Sequence, residues 1–197
     1  MKKTLLFAVP LLAAVNPTVA SAQETRAVAV GPRVELMVGL DKFKGNFSFA
    51  TGGKEDESAA LYGLGVGYDF IVANNITAGV DVELADTTFD YDVLAEDEEL
   101  LGQFSAGPEF YVGGRVTGKI SDKLALVGKL GWSRIRTKFN GEDSADDDKS
   151  RFRGPRAAIG LRFDSDERVY YGFDLRYSNY KQGVSRQGAV LFVGTRF

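Results

Sequence analysis

Asp81 and Glu83 are the residues in this sequence best placed for acid–base chemistry. They stand two residues apart in an alternating stretch, and residues at that spacing on a strand project from the same face. Two carboxylates can share the acid and base roles of a hydrolytic reaction. However, the chain has no histidine, the usual proton carrier near neutral pH, and no cysteine for thiol chemistry. We therefore expect this pair to bind arginines, and we expect no catalytic residues, no cofactor and no metal site.

The pair lies in one of eight stretches with period-two alternation, a pattern that is typical of strands with two unlike faces. Apolar residues occupy one parity, whereas glycines and charged residues occupy the other. The stretches are Arg33–Asp41, Leu61–Phe70, Ile76–Ala85, Phe104–Ile120, Leu124–Ile135, Arg156–Phe163, Val169–Ser178 and Gln187–Phe197. Apart from the longer Phe104–Ile120, their lengths are close to the roughly 9–11 residues with which a tilted strand crosses a bilayer.

The connections between the stretches alternate between short turns and long polar segments. The short ones are Ile71–Asn75, Ser121–Lys123 and Asp164–Arg168. The long ones are Lys44–Ser58, Asp86–Gln103, Arg136–Arg153 and Asn179–Arg186. Short turns on one side and long loops on the other are typical of barrels in outer membranes. The sequence therefore predicts an all-β fold, an eight-stranded antiparallel up-and-down transmembrane β-barrel.

The distribution of charge predicts which face of each strand points inward. The parity that carries the glycines has eight positive and seven negative residues, a balance that a packed interior of ion pairs requires. The predicted interior charge network consists of Glu35, Asp81, Glu83, Glu109, Arg115, Lys129, Arg156, Arg162, Asp174, Arg176 and Arg196. The apolar parity carries charge only at Lys42, Arg134 and Arg136, near the predicted loop ends. Since Arg or Lys at mid-bilayer costs about 2–4 kcal/mol, this parity is expected to face lipid.

The N-terminus has the order of a secretory signal peptide. Lys2 and Lys3 precede a mostly apolar run, and Ala20-Ser21-Ala22 supplies the small residues of a cleavage site. We predict a signal peptide over residues 1–22, cleavage after Ala22, and one barrel domain over residues 23–197. Removal of the two lysines moves the formal charge from −3 to −5, and this acidic balance argues against nucleic acid as a partner.

Three segments carry a resemblance to a known family. They are Phe110-Tyr111-Val112-Gly113-Gly114-Arg115-Val116, Leu126-Val127-Gly128-Lys129-Leu130-Gly131-Trp132-Ser133 and Val190-Leu191-Phe192-Val193-Gly194-Thr195-Arg196-Phe197. With the signal peptide, they resemble the opacity-protein and OmpA-like family of small outer-membrane barrels, which are porin-like surface antigens. The resemblance implies a location in the bacterial outer membrane, with its lipid and lipopolysaccharide as partners. It also implies that terminal Phe197 is the signal read by the barrel-assembly machinery, although Thr195 departs from the family's pattern.

These residues bear on three functional classes: enzyme, pore and surface-binding protein. The enzymes among outer-membrane barrels resemble one another in relying on histidine, which this chain lacks. A pore has little room, because eight strands leave an interior that side chains fill. For surface binding, the acidic segment Asp86–Gln103 and carboxylates at 142–148 could hold divalent cations, whereas Lys181 and Arg186 could contact lipopolysaccharide phosphates.

The sequence favours a non-enzymatic integral outer-membrane protein with a structural or surface-interaction role, as an adhesin or antigen. Its loops would then meet a host or cell-surface ligand. The alternative is a narrow porin-like channel for small solutes.

Overall fold

The computed structural model describes residues 30–44, 58–94, 100–141, 148–166 and 168–197, and almost all of these residues belong to strands. The strands are β1 Gly31–Lys44, β2 Ser58–Ala73, β3 Ile76–Thr87, β4 Asp90–Leu94, β5 Leu100–Lys119, β6 Leu124–Gly141, β7 Asp148–Asp164, β8 Val169–Asn179 and β9 Ser185–Arg196. A single 3₁₀ turn, Lys181–Gly183, lies between β8 and β9. Within the described ranges, no helix combines the length and apolar character needed to cross a bilayer.

The strands form one closed antiparallel barrel. Neighbouring strands follow the order β3-β2-β1-β9-β8-β7-β6-β5, and β3 pairs with β5 to complete the circle. The short strand β4 does not add a position to the wall. It pairs with the first part of β5, whereas β3 pairs with the second part, so β3 and β4 lie end to end. The predicted eight-stranded antiparallel barrel is confirmed.

Two predicted long connections turn out to contain strand. The segment Asp86–Gln103 includes β4 and the start of β5, and the segment Arg136–Arg153 includes the outer ends of β6 and β7. The prediction that these two polar segments are entirely loops is wrong. Cross-strand hydrogen bonds satisfy the backbone whatever the side chains are, so a hairpin can continue beyond the point where its apolar pattern stops.

The two faces of the wall are inverted relative to a soluble barrel. Along β8, exposed Tyr171, Phe173 and Leu175 alternate with buried Asp174 and Arg176. The same alternation runs through the other strands whose side chains are described. An apolar outer surface of this extent is stable only if the surrounding medium is itself apolar, and a closed barrel leaves no unpaired strand edge in that medium.

Aromatic rings on the outer face lie toward the strand ends. Near the short turns, the ring centroids of Tyr68 and Phe70 are 4.7 Å apart, and those of Phe163 and Tyr171 are stacked at 5.6 Å. Trp132 is half exposed midway along β6, and Arg134 and Arg136 follow it on the outer face toward the long loops. This distribution matches the aromatic girdles that flank the apolar band of membrane barrels.

The start of β1 and the end of β9 also meet at the short-turn end. The N–H of Phe197 donates to the carbonyl oxygen of Pro32 at 3.0 Å. In the turn between β7 and β8, the Asp166 carboxylate accepts the backbone N–H groups of Arg168 and Val169, each at 2.7 Å. These two hydrogen bonds lower the pKa of Asp166. The turn is therefore built by a local side chain and needs no residues beyond its own segment.

Glycines on the inner parity make space for large buried side chains. Gly194 lies directly opposite Tyr170, and a Cβ added to it would stand 2.4 Å from the tyrosine Cζ. The buried Tyr170 ring cannot retreat freely, because its hydroxyl donates to Glu35 at 3.0 Å and Arg196 lies 4.3 Å above the ring.

We expect Gly194→Ala to lower the free energy of unfolding by about 1–3 kcal/mol, the usual cost of overpacking. The matched control is Gly128→Ala, because a Cβ at Gly128 meets nothing within 4 Å. Urea unfolding in lipid vesicles, followed by the fluorescence of Trp132, measures both variants. Equal stability of the two variants would contradict the packing of Tyr170 against Gly194.

Candidate functional site

The interior of the barrel is an ion-pair network assembled from the inward parity of the strands. Among the described residues, eight cations and seven anions are buried. All eleven residues of the predicted network are among them. The other four are Arg33, Asp41, Asp69 and Arg186.

At the short-turn end, one arginine from β1 and one from β9 bind carboxylates that β2 and β7 supply. Arg33 Nε lies 3.1 Å from Asp69 Oδ1, and Arg196 lies 3.9 Å from the same carboxylate and 3.4 Å from Asp164. Arg162 also contacts Asp164, at 3.0 Å. This cluster joins β1 to β9 through side chains where the backbone ladder also joins them.

In the middle of the barrel, Arg115 connects opposite walls. Its two terminal nitrogens donate to the two oxygens of Glu35 at 2.6 and 2.8 Å, and its Nε donates to Asp81 at 3.0 Å. Asp81 also binds Arg33 at 2.5 Å. A bidentate arginine–carboxylate pair combines charge with directional hydrogen bonds, and it therefore positions both side chains.

Glu83 is the second centre of the network and gathers three cations. It contacts Lys129 at 3.0 Å, Arg176 at 3.3 Å, and Arg156 through a hydrogen bond. Lys129 also lies 2.9 Å from Asp174. Asp81 and Glu83 are thus on one face, as their spacing predicted, but cations surround both.

Near the long-loop end, Arg186 binds Asp41 through Nε at 2.5 Å and Glu109 at 2.7 Å. Tyr180 donates its hydroxyl to Glu109 at 2.9 Å. The expectation that Arg186 contacts lipopolysaccharide phosphates is wrong, since its side chain is buried. The physical reason is that β9 begins at Ser185, which places position 186 on the inward parity, whereas Lys181 remains exposed.

An apolar cluster covers the network on the long-loop side, and we call it the apolar cap. It consists of Phe43, Ala59, Phe89, Ala106, Ile135, Tyr180 and Val184, with Phe152 packed against it. The ring centroids of Phe43 and Phe89 are 4.5 Å apart. These residues come from many positions around the wall, so the cap extends across the interior. The alternation pattern did not predict the apolar cap. The signal that could have indicated it is the presence of apolar residues on the inward parity at the strand ends.

Little free space remains between the network and the cap. A cavity bordered by Asp41, Glu109, Arg156 and Arg186 has a volume of about 10 Å³. That is close to the space that one water molecule requires. Beside these four groups, the interior therefore presents bound charges and a gap of about the size of one water molecule.

No three metal-ligating side chains converge among the residues that the structure describes. The sequence suggested divalent cations at 86–103 and 142–148, and most of those carboxylates fall in 95–99 and 142–147, outside the described ranges. The predicted signal peptide and Ala22 also lie outside them. Phe197 follows β9 with its side chain exposed on the outer face, in line with Leu191 and Val193.

The chain was also compared with known proteins. A search of curated proteins found no match. Among solved structures, it is similar to Ail, the attachment invasion locus protein of Yersinia pestis, at 19% identity and a TM-score of 0.57, covering 85% of this chain and 99% of that one. A second Ail structure, in complex with the heparin analogue sucrose octasulfate, matches at 18% identity and 0.59, covering 86% and 100%. Neisserial surface protein A matches at 12% identity and 0.57, covering 85% and 97%.

These likenesses concern the fold, and a family match adds the identity of the domain. The family described as the outer membrane protein beta-barrel domain matches residues 7–197, almost the whole chain. The predicted resemblance to small outer-membrane barrels and the predicted location are confirmed. The chain belongs to the outer membrane protein beta-barrel domain family and is a protein of the bacterial outer membrane.

Proposed function

We propose that this protein is a non-enzymatic barrel with a structural or surface-interaction role, exercised by its long loops as an adhesin or antigen. The observation that supports this most is the filled interior. Ion pairs occupy the barrel along its length and the apolar cap covers them, so binding surface is available at the loops and on the outer wall. The name of the structural neighbour Ail, the attachment invasion locus protein, favours the same role.

The export and assembly of the chain follow from the same proposal. Residues 1–22 act as the signal peptide, with cleavage after Ala22, and residues 23–197 form the barrel domain. Phe197 serves as the signal for the assembly machinery, supported by the outward alternation of Phe197, Val193 and Leu191. The absence of histidine from the whole sequence supports the non-enzymatic assignment.

The charge of the loops indicates the chemistry of the ligand. The segment 86–103 has seven carboxylates and no lysine or arginine, and the segment 142–148 adds five carboxylates. Such loops attract a cationic surface, or an anionic one through bridging divalent cations, and they repel bare polyanions. A host or cell-surface ligand with basic groups fits this pattern.

A variant in which residues 95–99 and 142–147 are replaced by short Gly-Ser linkers tests the role of the loops. Bacteria that display it should bind epithelial cell monolayers no better than bacteria without the protein, whereas the wild type binds. The control is that the variant still migrates at different apparent sizes before and after boiling, as a closed barrel does. Full adhesion by a variant that passes this control would overturn the proposal.

The narrow channel is the second candidate, favoured by the charged lining of the interior. We expect wild-type protein in planar lipid bilayers to show no steady unit conductance, because the apolar cap and the ion pairs occupy the interior along the described strands. Steady single-channel currents from the wild type would favour the channel instead.

A further inference from the structure

Four arginines face each other on the outer wall of the β6–β7 hairpin, and we call them the arginine ladder. Arg134 pairs with Arg153, and Arg136 pairs with Arg151, as direct cross-strand partners. Three of these side chains are exposed and Arg134 is partly exposed. The inward-facing residues between them are Ile135, which is buried in the apolar cap, and Phe152, which packs against it. The packing of these neighbours fixes the arginines on the outer face.

This arrangement is unfavourable for the protein alone. Like charges directly opposite each other on antiparallel strands repel and destabilise the pair. Every other arginine cluster in the described structure is interleaved with carboxylates, but no described carboxylate forms a salt bridge with any arginine of the ladder. In addition, Arg134 Nε is shielded from water and has no hydrogen-bond partner among the described residues. The ladder therefore fits an external anion.

The position of the ladder in the membrane identifies the class of that anion. Trp132 lies two residues before Arg134 on the same outer face, about 7 Å along the strand. Phe110, the partner of Arg134 on β5, is also exposed to the outside. These rings mark the edge of the apolar band on the long-loop side, which is the outer-leaflet side. The first anionic layer beyond that edge in an outer membrane is formed by the phosphates of lipopolysaccharide.

We propose that Arg134, Arg136, Arg151 and Arg153 form a binding site for the phosphorylated headgroup of a lipopolysaccharide molecule on the outer wall of the barrel. Planar guanidinium groups donate paired hydrogen bonds to phosphate oxygens, and two rows of them match a headgroup with more than one phosphate. The site is separate from the loop ligand of the proposed function. It also differs from the contact expected at the last loop, where Arg186 is buried and Lys181 is exposed.

The test uses the full chain in detergent micelles and titrates it with bisphosphorylated lipid A, with Trp132 as a neighbouring fluorescence reporter. The first variant changes all four ladder arginines to glutamine. We expect its affinity to fall by roughly tenfold or more, because charge-assisted hydrogen bonds to the phosphates are lost. A control removes three exposed cations elsewhere: Lys44, Lys123 and Arg168, each changed to glutamine. We expect the control to bind lipid A as the wild type does.

Two further experiments test whether the anion that binds the arginine ladder is lipopolysaccharide phosphate, another lipid phosphate or a carboxylate of the protein itself. Wild-type protein should bind bisphosphorylated lipid A more tightly than dephosphorylated lipid A or phosphatidylglycerol, and equal affinity for all three would overturn the lipopolysaccharide assignment. The second arm neutralises the hairpin tip with Glu142→Gln, Asp143→Asn, Asp146→Asn and Asp147→Asn. Lipid A binding by this variant but not by the wild type would show that the protein's own carboxylates occupy the ladder, and it would overturn the proposal.

If the glutamine variant does not fold, a second variant tests the same proposal. The four arginines are then changed to lysine, which keeps the charge but loses the paired hydrogen bonds. We expect this variant to fold, as judged by its shift on boiling, and to bind lipid A more weakly than the wild type. Unchanged affinity in a folded lysine variant would contradict recognition by guanidinium groups.

Discussion

We expect Glu83→Gln to lower the free energy of unfolding by about 3–5 kcal/mol, the range measured when one partner of a buried ion pair is removed. Glu83 compensates three buried cations, Lys129, Arg156 and Arg176. Glutamine has nearly the same shape but no charge, so the three cations would remain close together in a nearly dry interior. Lys129 and Arg176 would retain the carboxylate of Asp174, whereas Arg156 would retain the more distant carboxylate of Glu109, at 3.8 Å.

Reversible urea unfolding in lipid vesicles, followed by the fluorescence of Trp132, provides the measurement. The control is Asp122→Asn, which removes one negative charge from an exposed turn and should leave stability almost unchanged. A loss below about 1 kcal/mol for Glu83→Gln would mean that the network contributes no more than exposed ion pairs do. The interior would then have to admit enough water to solvate the cations.

The second large effect concerns the outer face. We expect Val66→Arg to cost about 2–4 kcal/mol and Val72→Arg about 0–1 kcal/mol, because the penalty for a charge on the lipid face depends on depth. Val66 lies midway along β2 and pairs with outward-facing Val34 and Val82. Val72 is equally apolar and 64% exposed, but it lies near the short turn at the end of β2. The two variants therefore differ in depth and not in chemistry.

Both variants are compared with the wild type by unfolding from vesicles and by the shift in gel migration on boiling. Equal costs at the two positions would contradict a bilayer centred on the middle of β2. The same pair of measurements in detergent micelles serves as a control, since a micelle adapts its thickness to the protein and should reduce the difference.

The closed interior and the outer wall carry two different sets of charges. Charges that would be costly in the membrane are turned inward and paired, as with Arg115 and Glu35. Charges left outside lie on the wall above the aromatic edge, as in the arginine ladder, and in the short turns, as with Asp122. The barrel thus separates the charges that hold it together from those that are free to meet the membrane surface.

The sequence alone determined the strand positions, their number and the inversion of their faces. Each depends on local alternation, and a shift of one residue would exchange the two faces of a strand. Since lipid tolerates almost no charge, a strand such as β8, with Asp174 and Arg176 on one parity, has only one stable orientation. The polar ends of β6 and β7 were not predicted, because pairing beyond the membrane needs no apolar pattern.

Only the tertiary structure decided which charges meet and which remain outside. Asp41 and Arg186 are 145 residues apart in the chain and become partners because β1 and β9 are neighbours in the closed wall. The apolar cap and the pairing of Arg134 with Arg153 depend equally on register between strands. Alternation shows the face on which a side chain lies. Its neighbours on that face are set by the closure of the sheet, which no local pattern contains.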